Sequence, residues 1–466
     1  MQVTPETTRR WRAELAWLPG RGVRSGVLIE AAGRHFTAVV PDVVPGDCPP
    51  GTVRLPGLTL PGLANAHSHA FHRALRGAVQ ARQGTFWTWR ERMYQVAGAL
   101  EPDSYLALAR AVYAEMALAG VTCVGEFHYL HHGPGGARYA DPNEMGRVLI
   151  EAAAQTGLRI TLLDTCYLSG GLSADGSAEP LSGVQQRFSD GDGARWADRI
   201  GALGADQHGL LDRHARIGVA IHSVRAVPPG QMRPVIAWSH AFGAPLHVHL
   251  SEQPAENEAS LAAYGVTPAR LLDRVGALGP RTTVVHATHV TGDDIGLLGG
   301  SRTAACLCPT TEADLADGVG PARALAAAGC PLSLGSDSHA VIDLLAEARL
   351  VEMGERLTTG VRGSFRAEEL AQAATASGHA CLGWPEAGEI AAGAFADLVT
   401  VALDTPRLAG TTVGTALESV IFAGSAADVR NVVISGVDVV VDGRHLLVDD
   451  VPGALTAAIT PLLAGA

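Results

Sequence analysis

The sequence predicts an α/β fold: a (β/α)₈ TIM barrel with a small β-sandwich domain built from both chain ends. Three observations lead there. The chain has 466 residues, enough for a barrel of about 250 residues with insertions plus a second domain. Its middle alternates apolar segments with Ala-rich and Leu-rich helical patterns, as βα units around a parallel sheet do. Its two ends share another texture, short β-like runs separated by Gly and Pro.

Taken in order, residues 1–58 are the N-terminal part of the β domain, with runs at Gly26–Glu30 and Phe36–Val40. Residues 59–389 are the barrel. Its eight strand candidates are Leu60–His67, Thr122–His128, Ile160–Tyr167, Ile217–Val224, Pro245–Leu250, Thr282–His286, Ala304–Cys308 and Pro331–Gly335. Between the third and fourth, the Gly-, Ser- and Asp-rich stretch Ser169–Arg213 reads as an insertion carrying a helix near Leu181–Phe188. Residues 390–466 return to β texture at Leu398–Ala402, Val432–Ile434 and Val437–Asp442, with a turn at Asp442-Gly443. The two ends are expected to pair into one sheet domain beside the barrel.

Composition narrows the function classes. No apolar run reaches the roughly 18 residues that span a bilayer, and Met1-Gln-Val-Thr-Pro-Glu6 lacks a signal-peptide pattern. The expectation is a soluble cytoplasmic protein with no membrane partner. A net charge of -12 argues against nucleic acid while leaving room for a small anion in a local basic pocket. Seven scattered cysteines with no C-x-x-C pair read as reduced thiols, and Cys306 with Cys308 as core. The chain contains no lysine. That excludes Schiff-base chemistry, a P-loop lysine and a carbamylated lysine bridging two metal ions.

The strand ends carry the chemistry. Candidate after candidate finishes in a ligand-capable residue: His67 and His69, His128, His222, His249, His286 and Asp337. Barrel active sites lie at the C-terminal face, where such residues converge. His67 and His69 are two residues apart on an extended backbone and point the same way, so both can reach one ion. His249 and Asp337 complete a set of three histidines and one aspartate, an N/O donor set that suits one divalent ion, zinc. Glu252, three residues after His249, and His286 are then available for proton transfer. Other histidines read as structural: His289 and His379 as hydrogen-bonded residues, His131 and His132 as loop residues, and His247 as facing away from His249.

His67-Ser-His69, His249 with Glu252, His286 and Asp337 resemble the amidohydrolase superfamily, and the missing lysine fits its mononuclear deaminase branch. More narrowly, the chain is similar to the deiminases of histidine degradation that release ammonia from a formimino group. That match rests on His67-Ser-His-Ala-Phe71, Phe86-Trp-Thr-Trp-Arg90, Glu126-Phe-His-Tyr129, His222-Ser-Val-Arg225, His249-Leu-Ser-Glu-Gln253, His286-Ala-Thr-His289 and Gly335-Ser-Asp337. Gly388-Glu-Ile390 and Ala396-Asp-Leu398 extend it into the flanking sheet.

The resemblance implies a small anionic substrate with two carboxylates, held by Arg90 and Arg225 as bidentate forks with Tyr129 and His222 beside them. The family pattern has a glutamine where this chain has His72, and both can donate a hydrogen bond to substrate. The resemblance further implies that His286 and Asp337 deprotonate or orient a water, that Glu252 protonates the leaving nitrogen, and that the protein is a homodimer. Two other readings stay open from the residues: a deaminase of an aminated heterocycle such as guanine, and a non-catalytic binding or assembly protein on the same fold.

Overall fold

The computed structural model describes residues 8–80, 86–173, 175–205 and 214–464. The opening residues Met1–Glu6, residues 206–213 of the insertion, and the side chains of Phe86 and Trp87 lie outside the described residues.

Eight parallel strands form the barrel sheet in chain order: Leu63–Ser68, Val121–His128, Arg159–Cys166, Ala215–Ile221, Leu246–Leu250, Thr282–His286, Ala304–Leu307 and Leu332–Leu334. Strands Val121–His128 and Arg159–Cys166 are buried at every residue. Helices cover the outer face, which is why these strands read as continuous apolar runs instead of alternating ones. Helix Pro102–Leu118 buries Tyr105, Leu108, Val112 and Met116 in the main core. Helix Glu144–Thr156 stops at Gly157, whose φ of 76° is the left-handed conformation that ends helices.

The sheet closes at its functional end. Ser68 bridges Asp337 in parallel, so the first and eighth strands meet beside His67 and His69. Gly335 makes the approach possible, because a Cβ there would sit 2.7 Å from the His67 Cβ and 2.9 Å from its carbonyl oxygen.

Both chain ends contribute to a second sheet of eight strands. Its order is Arg444–His445, Val437–Val441, Val429–Ile434, Leu398–Val401, Val53–Pro61, Thr8–Leu18, Gly22–Ala32 and His35–Val40. Asp442 and Gly443, with φ of 49° and 73°, form the expected turn. Most barrel strands start or stop one to three residues from their expected bounds, and one shift moves residues from the barrel to the other sheet. Leu60 and Pro61 belong to this sheet, paired with Val399 and Leu398, and the barrel strand starts only after Gly62. A Cβ at Gly62 would meet Thr122 Oγ1 at 2.4 Å, so the chain passes between the two sheets there on a glycine. The eleven-residue strand Thr8–Leu18 and the C-terminal helix Val451–Ala464 are further elements that the sequence reading did not single out.

The insertion supports the site wall. Its expected helix is a short 3₁₀ segment, Gly183–Phe188. Within it the buried Arg187 donates to the carbonyls of Ala97, Gly98 and Leu100 at 2.7, 3.0 and 2.6 Å. These carbonyls lie at the C-terminal end of helix Phe86–Ala99, where intrahelical partners run out, and a cation suits the negative end of the helix dipole. The helix that carries Arg90 is thereby fixed to the insertion.

Candidate metal centre and substrate cavity

The four expected metal ligands converge. Asp337 Oδ1 lies 3.3 Å from His67 Nε2 and 3.4 Å from His69 Nε2. His249 Nε2 lies 3.1 Å from His67 Nε2. The Nδ1–H of His69 donates to the Phe127 carbonyl at 3.0 Å, and that of His249 to the His222 carbonyl at 2.9 Å. A carbonyl only accepts, so both rings carry their proton on Nδ1 and turn a bare Nε2 lone pair inward. Lone pairs crowded at such distances repel unless a cation sits among them. The donor set therefore fits a divalent ion.

Electrostatics agree. Burial lowers the pKa of His67 and His249, and takes His69 to about 3, leaving neutral imidazoles, the form that ligates metal. Burial works against ionised Asp337, yet His67, His286 and His69 hold its carboxyl below the usual range.

Around this centre stand the expected acid and base. His286 Nε2 faces Glu252 Oε1 at 3.7 Å and Asp337 Oδ2 at 3.8 Å, while its Nδ1 lies 3.3 Å from Glu312 Oε1. Burial opposes a charged His286, but Glu252, Glu312 and Asp337 hold its pKa well above the ordinary value. Burial raises Glu252. Ser251, His286, Ala287 and Asp337 all have φ between 44° and 71° without being glycine. Such backbone costs about 1–3 kcal/mol per residue and clusters where a site demands it.

A cavity opens above the centre, lined by His69, His249, Glu252, His286 and Asp337 at one end. The expected substrate residues His72, Arg90, Tyr129, His222 and Arg225 all line the same cavity. Arg225 Nε pairs with the buried Glu256 at 2.9 Å. His72 Nε2 lies 3.0 Å from the Tyr129 hydroxyl. Arg90 donates to the Tyr94 hydroxyl at 2.5 Å and to the Gly170 carbonyl at 3.3 Å.

Several lining and supporting residues escaped the sequence reading. Tyr94, Tyr167 and Phe188 join Trp89 of the Phe86-Trp-Thr-Trp-Arg90 motif in giving the cavity an aromatic wall, and Gln185 bonds both Tyr94 and Tyr167 from behind. Glu312 and Glu256 hold His286 and Arg225. The histidines read as structural do bond backbone: His289 Nε2 to the Asp317 carbonyl, His379 Nε2 to Gly62 and His247 Nε2 to Cys381. His131 and His132, expected on a loop, are buried, with His131 Nε2 donating to the Thr165 carbonyl. His128, His131 and Asp164 also lie close enough for an ion. There, however, both Asp164 oxygens already accept from Arg199 at 2.8 Å, so a guanidinium fills the cation's place. Among the described residues, no helix is long and apolar enough to cross a membrane.

Residues 58–439 match the model of the amidohydrolase family. The chain is 36% identical over 446 residues to formimidoylglutamate deiminase of Pseudomonas aeruginosa, covering 93% of this chain and 95% of that protein. It is 31% identical over 364 residues to 8-oxoguanine deaminase of the same organism, covering 76% of each. Among solved structures, an amidohydrolase from Brucella melitensis superposes with a TM-score of 0.89 at 33% identity, covering 98% of this chain and 100% of that one. An adenosine deaminase from Xanthomonas campestris, solved with bound zinc, shares the fold with a TM-score of 0.81 at 24% identity and 99% coverage of both chains.

Proposed function

The chain belongs to the amidohydrolase family and is a hydrolase acting on C–N bonds; from that premise we propose that it hydrolyses N-formimino-L-glutamate to N-formyl-L-glutamate and ammonia, a step of histidine degradation. The observation that carries the reading is the composition of one cavity. Two guanidiniums, Arg90 and Arg225, share it with Tyr129, His222 and the His/Asp centre. A substrate with two carboxylates and one hydrolysable formimino group uses every one of those features. The relative of highest identity described above bears the name of this activity.

His67, His69, His249 and Asp337 would hold one zinc ion. When bound, such an ion supplies Lewis acidity that brings the pKa of water towards about 7. The chain's own groups do the rest. Arg225 and Arg90 take the carboxylates, with Tyr129, His222 and His72 fixing the orientation. His286 orients the attacking water and Asp337 takes its proton. Oxygen adds to the formimino carbon as Glu252 protonates the imino nitrogen; the proton held by Asp337 then passes to the same nitrogen, the C–N bond breaks, ammonia leaves, and the adduct's hydroxyl proton returns to Glu252.

A second reading has one observation in its favour: the aromatic wall of Trp89, Tyr94, Tyr167 and Phe188 also suits a flat aminated heterocycle. Ammonia release measured with N-formimino-L-glutamate, guanine and 8-oxoguanine separates the two. Turnover confined to the heterocycles would overturn the proposal.

A further inference from the structure

Behind the metal ligands lies a chain of buried polar side chains that the catalytic reading leaves unused. Asn65, Ser68, Glu126, Ser336 and His339 are all fully buried. Asn65 Nδ2 donates to Ser336 Oγ at 2.7 Å, and Asn65 Oδ1 accepts the Ser336 N–H at 2.9 Å. Ser336 Oγ lies 3.3 Å from His339 Nδ1, and His339 Nε2 lies 3.1 Å from Ser68 Oγ. Ser68 Oγ donates to Glu126 Oε2 at 2.8 Å, while Glu126 Oε1 accepts the Ala70 N–H at 2.7 Å.

One proton arrangement satisfies every member. The Ser336 hydroxyl, its oxygen already accepting from Asn65, donates to His339 Nδ1. His339 then carries its proton on Nε2 and donates to Ser68, and Ser68 donates to Glu126. Every side-chain donor points one way, and the series ends on the Glu126 carboxyl group, which accepts at both oxygens. Chains of this kind polarise each other in a dry interior.

Their placement gives them a task. Asn65 and Ser68 flank His67, and Ser68 and Ala70 flank His69. Ser336 precedes Asp337, and Glu126 sits on the second strand one residue before Phe127, whose carbonyl orients His69. Three of the four metal-ligand side chains thus hang on backbone that this series clamps across strands one, two and eight.

We infer that Glu126 is the anchoring acceptor of a hydrogen-bond clamp, running through Ser68 and His339, which sets the spacing of His67, His69 and Asp337 for the metal ion. Glu126 is a positioning residue: it touches neither substrate nor ion. The inference rests on the metal-site reading above. In Glu126→Gln the amide NH₂ must face either the Ala70 N–H, which loses its acceptor, or the Ser68 hydroxyl, which must then accept and leave its own proton without an acceptor; either way one donor is stranded at nearly constant shape. Ser68→Ala cuts the same series one step earlier.

The test is zinc affinity by chelator competition on the full-length protein, read beside thermal melting of the metal-free form. Glu126→Gln and Ser68→Ala are each expected to bind zinc about 10 to 100 times more weakly, the usual cost of losing a group behind the ligands. The double variant loses no more than the worse single one, because both interrupt one series. Thr59→Val, which breaks the buried Thr59–Thr400 hydroxyl pair in the other sheet, serves as the structural control and keeps its zinc affinity. Zinc affinity within about threefold of wild type in both single variants, or additive losses in the double, overturns the clamp. Wild-type protein that binds zinc no better than His69→Ala overturns the metal-site reading as well, so the two failures are distinct.

Discussion

Asp337 is joined to His67 twice: its backbone N–H donates to the His67 carbonyl at 3.0 Å, and its Oδ1 lies 3.3 Å from His67 Nε2. The same residue closes the barrel and completes the proposed ligand set. Side chain and backbone can be separated experimentally, since substitution of the carboxylate leaves the N–H in place.

Asp337→Asn is therefore expected to fold and to lose its metal. Zinc added at a hundredfold excess over its dissociation constant stabilises a protein that binds it by about 2.7 kcal/mol. Differential scanning calorimetry should show that gain in the metal-free wild type and its disappearance in Asp337→Asn. An unchanged zinc response in the variant would remove Asp337 from the ligand set.

Glu252→Gln should leave zinc stoichiometry at the wild-type value and lower kcat by about 10² to 10⁴, the range that positioned acid–base groups supply. Metal analysis and a steady-state ammonia assay on one preparation check both halves. Retained turnover would sink the proton-delivery role.

Arg225 presents a different problem, because its removal strands the buried Glu256 carboxylate. The informative variant is Arg225→Met with Glu256→Gln, which removes both charges together. A charge-assisted hydrogen bond contributes about 1.5–3 kcal/mol, so KM for a dicarboxylate should rise roughly 10- to 150-fold with a smaller change in kcat. An unchanged KM would refute the carboxylate contact.

Acid stability should depend on the buried cluster of Arg199, Asp164 and Asp190. Burial disfavours the charge on both carboxylates, yet Arg199, with His131 and His132, holds the two below their ordinary pKa. A group depressed in the folded state contributes stability that is present above its unfolded pKa of about 3.9 and lost as pH falls towards the folded value. Asp164→Asn should thus lower stability at neutral pH and flatten the loss of stability below about pH 4. Urea unfolding at a series of pH values measures it; an acid limb as steep as wild type would refute the assignment.

The parts of the centre that could be read from the sequence were those where chemistry coincided with strand ends. His67, His69, His249, His286 and Asp337 each close a short apolar run, so their convergence followed from the barrel topology. The missing lysine sharpened the same picture. What stayed hidden was whatever depends on tertiary neighbours. Tyr94 and Phe188 sit on helical segments where an aromatic looks like core. Glu256 and Glu312 lie in helices Pro254–Tyr264 and Pro309–Asp314 and read as solvent-facing charges until Arg225 and His286 are set against them. The strand boundary at Gly62 was illegible for a similar reason, since Leu58 to Leu63 is one local pattern and only pairing with Leu398–Val401 divides it.

That pairing also bears on how the protein is made. Thr59 and Thr400, hydrogen-bonded in adjacent strands of the end sheet, are 341 residues apart in the chain, and Val53–Pro61 leads through Gly62 directly into the strand that bears His67. Contacts this distant form slowly, because the loop-closure entropy is lost before they form. On the ribosome, at about 5–20 residues per second, Val53–Pro61 waits tens of seconds for its central position in the sheet, with an apolar edge open to other chains meanwhile.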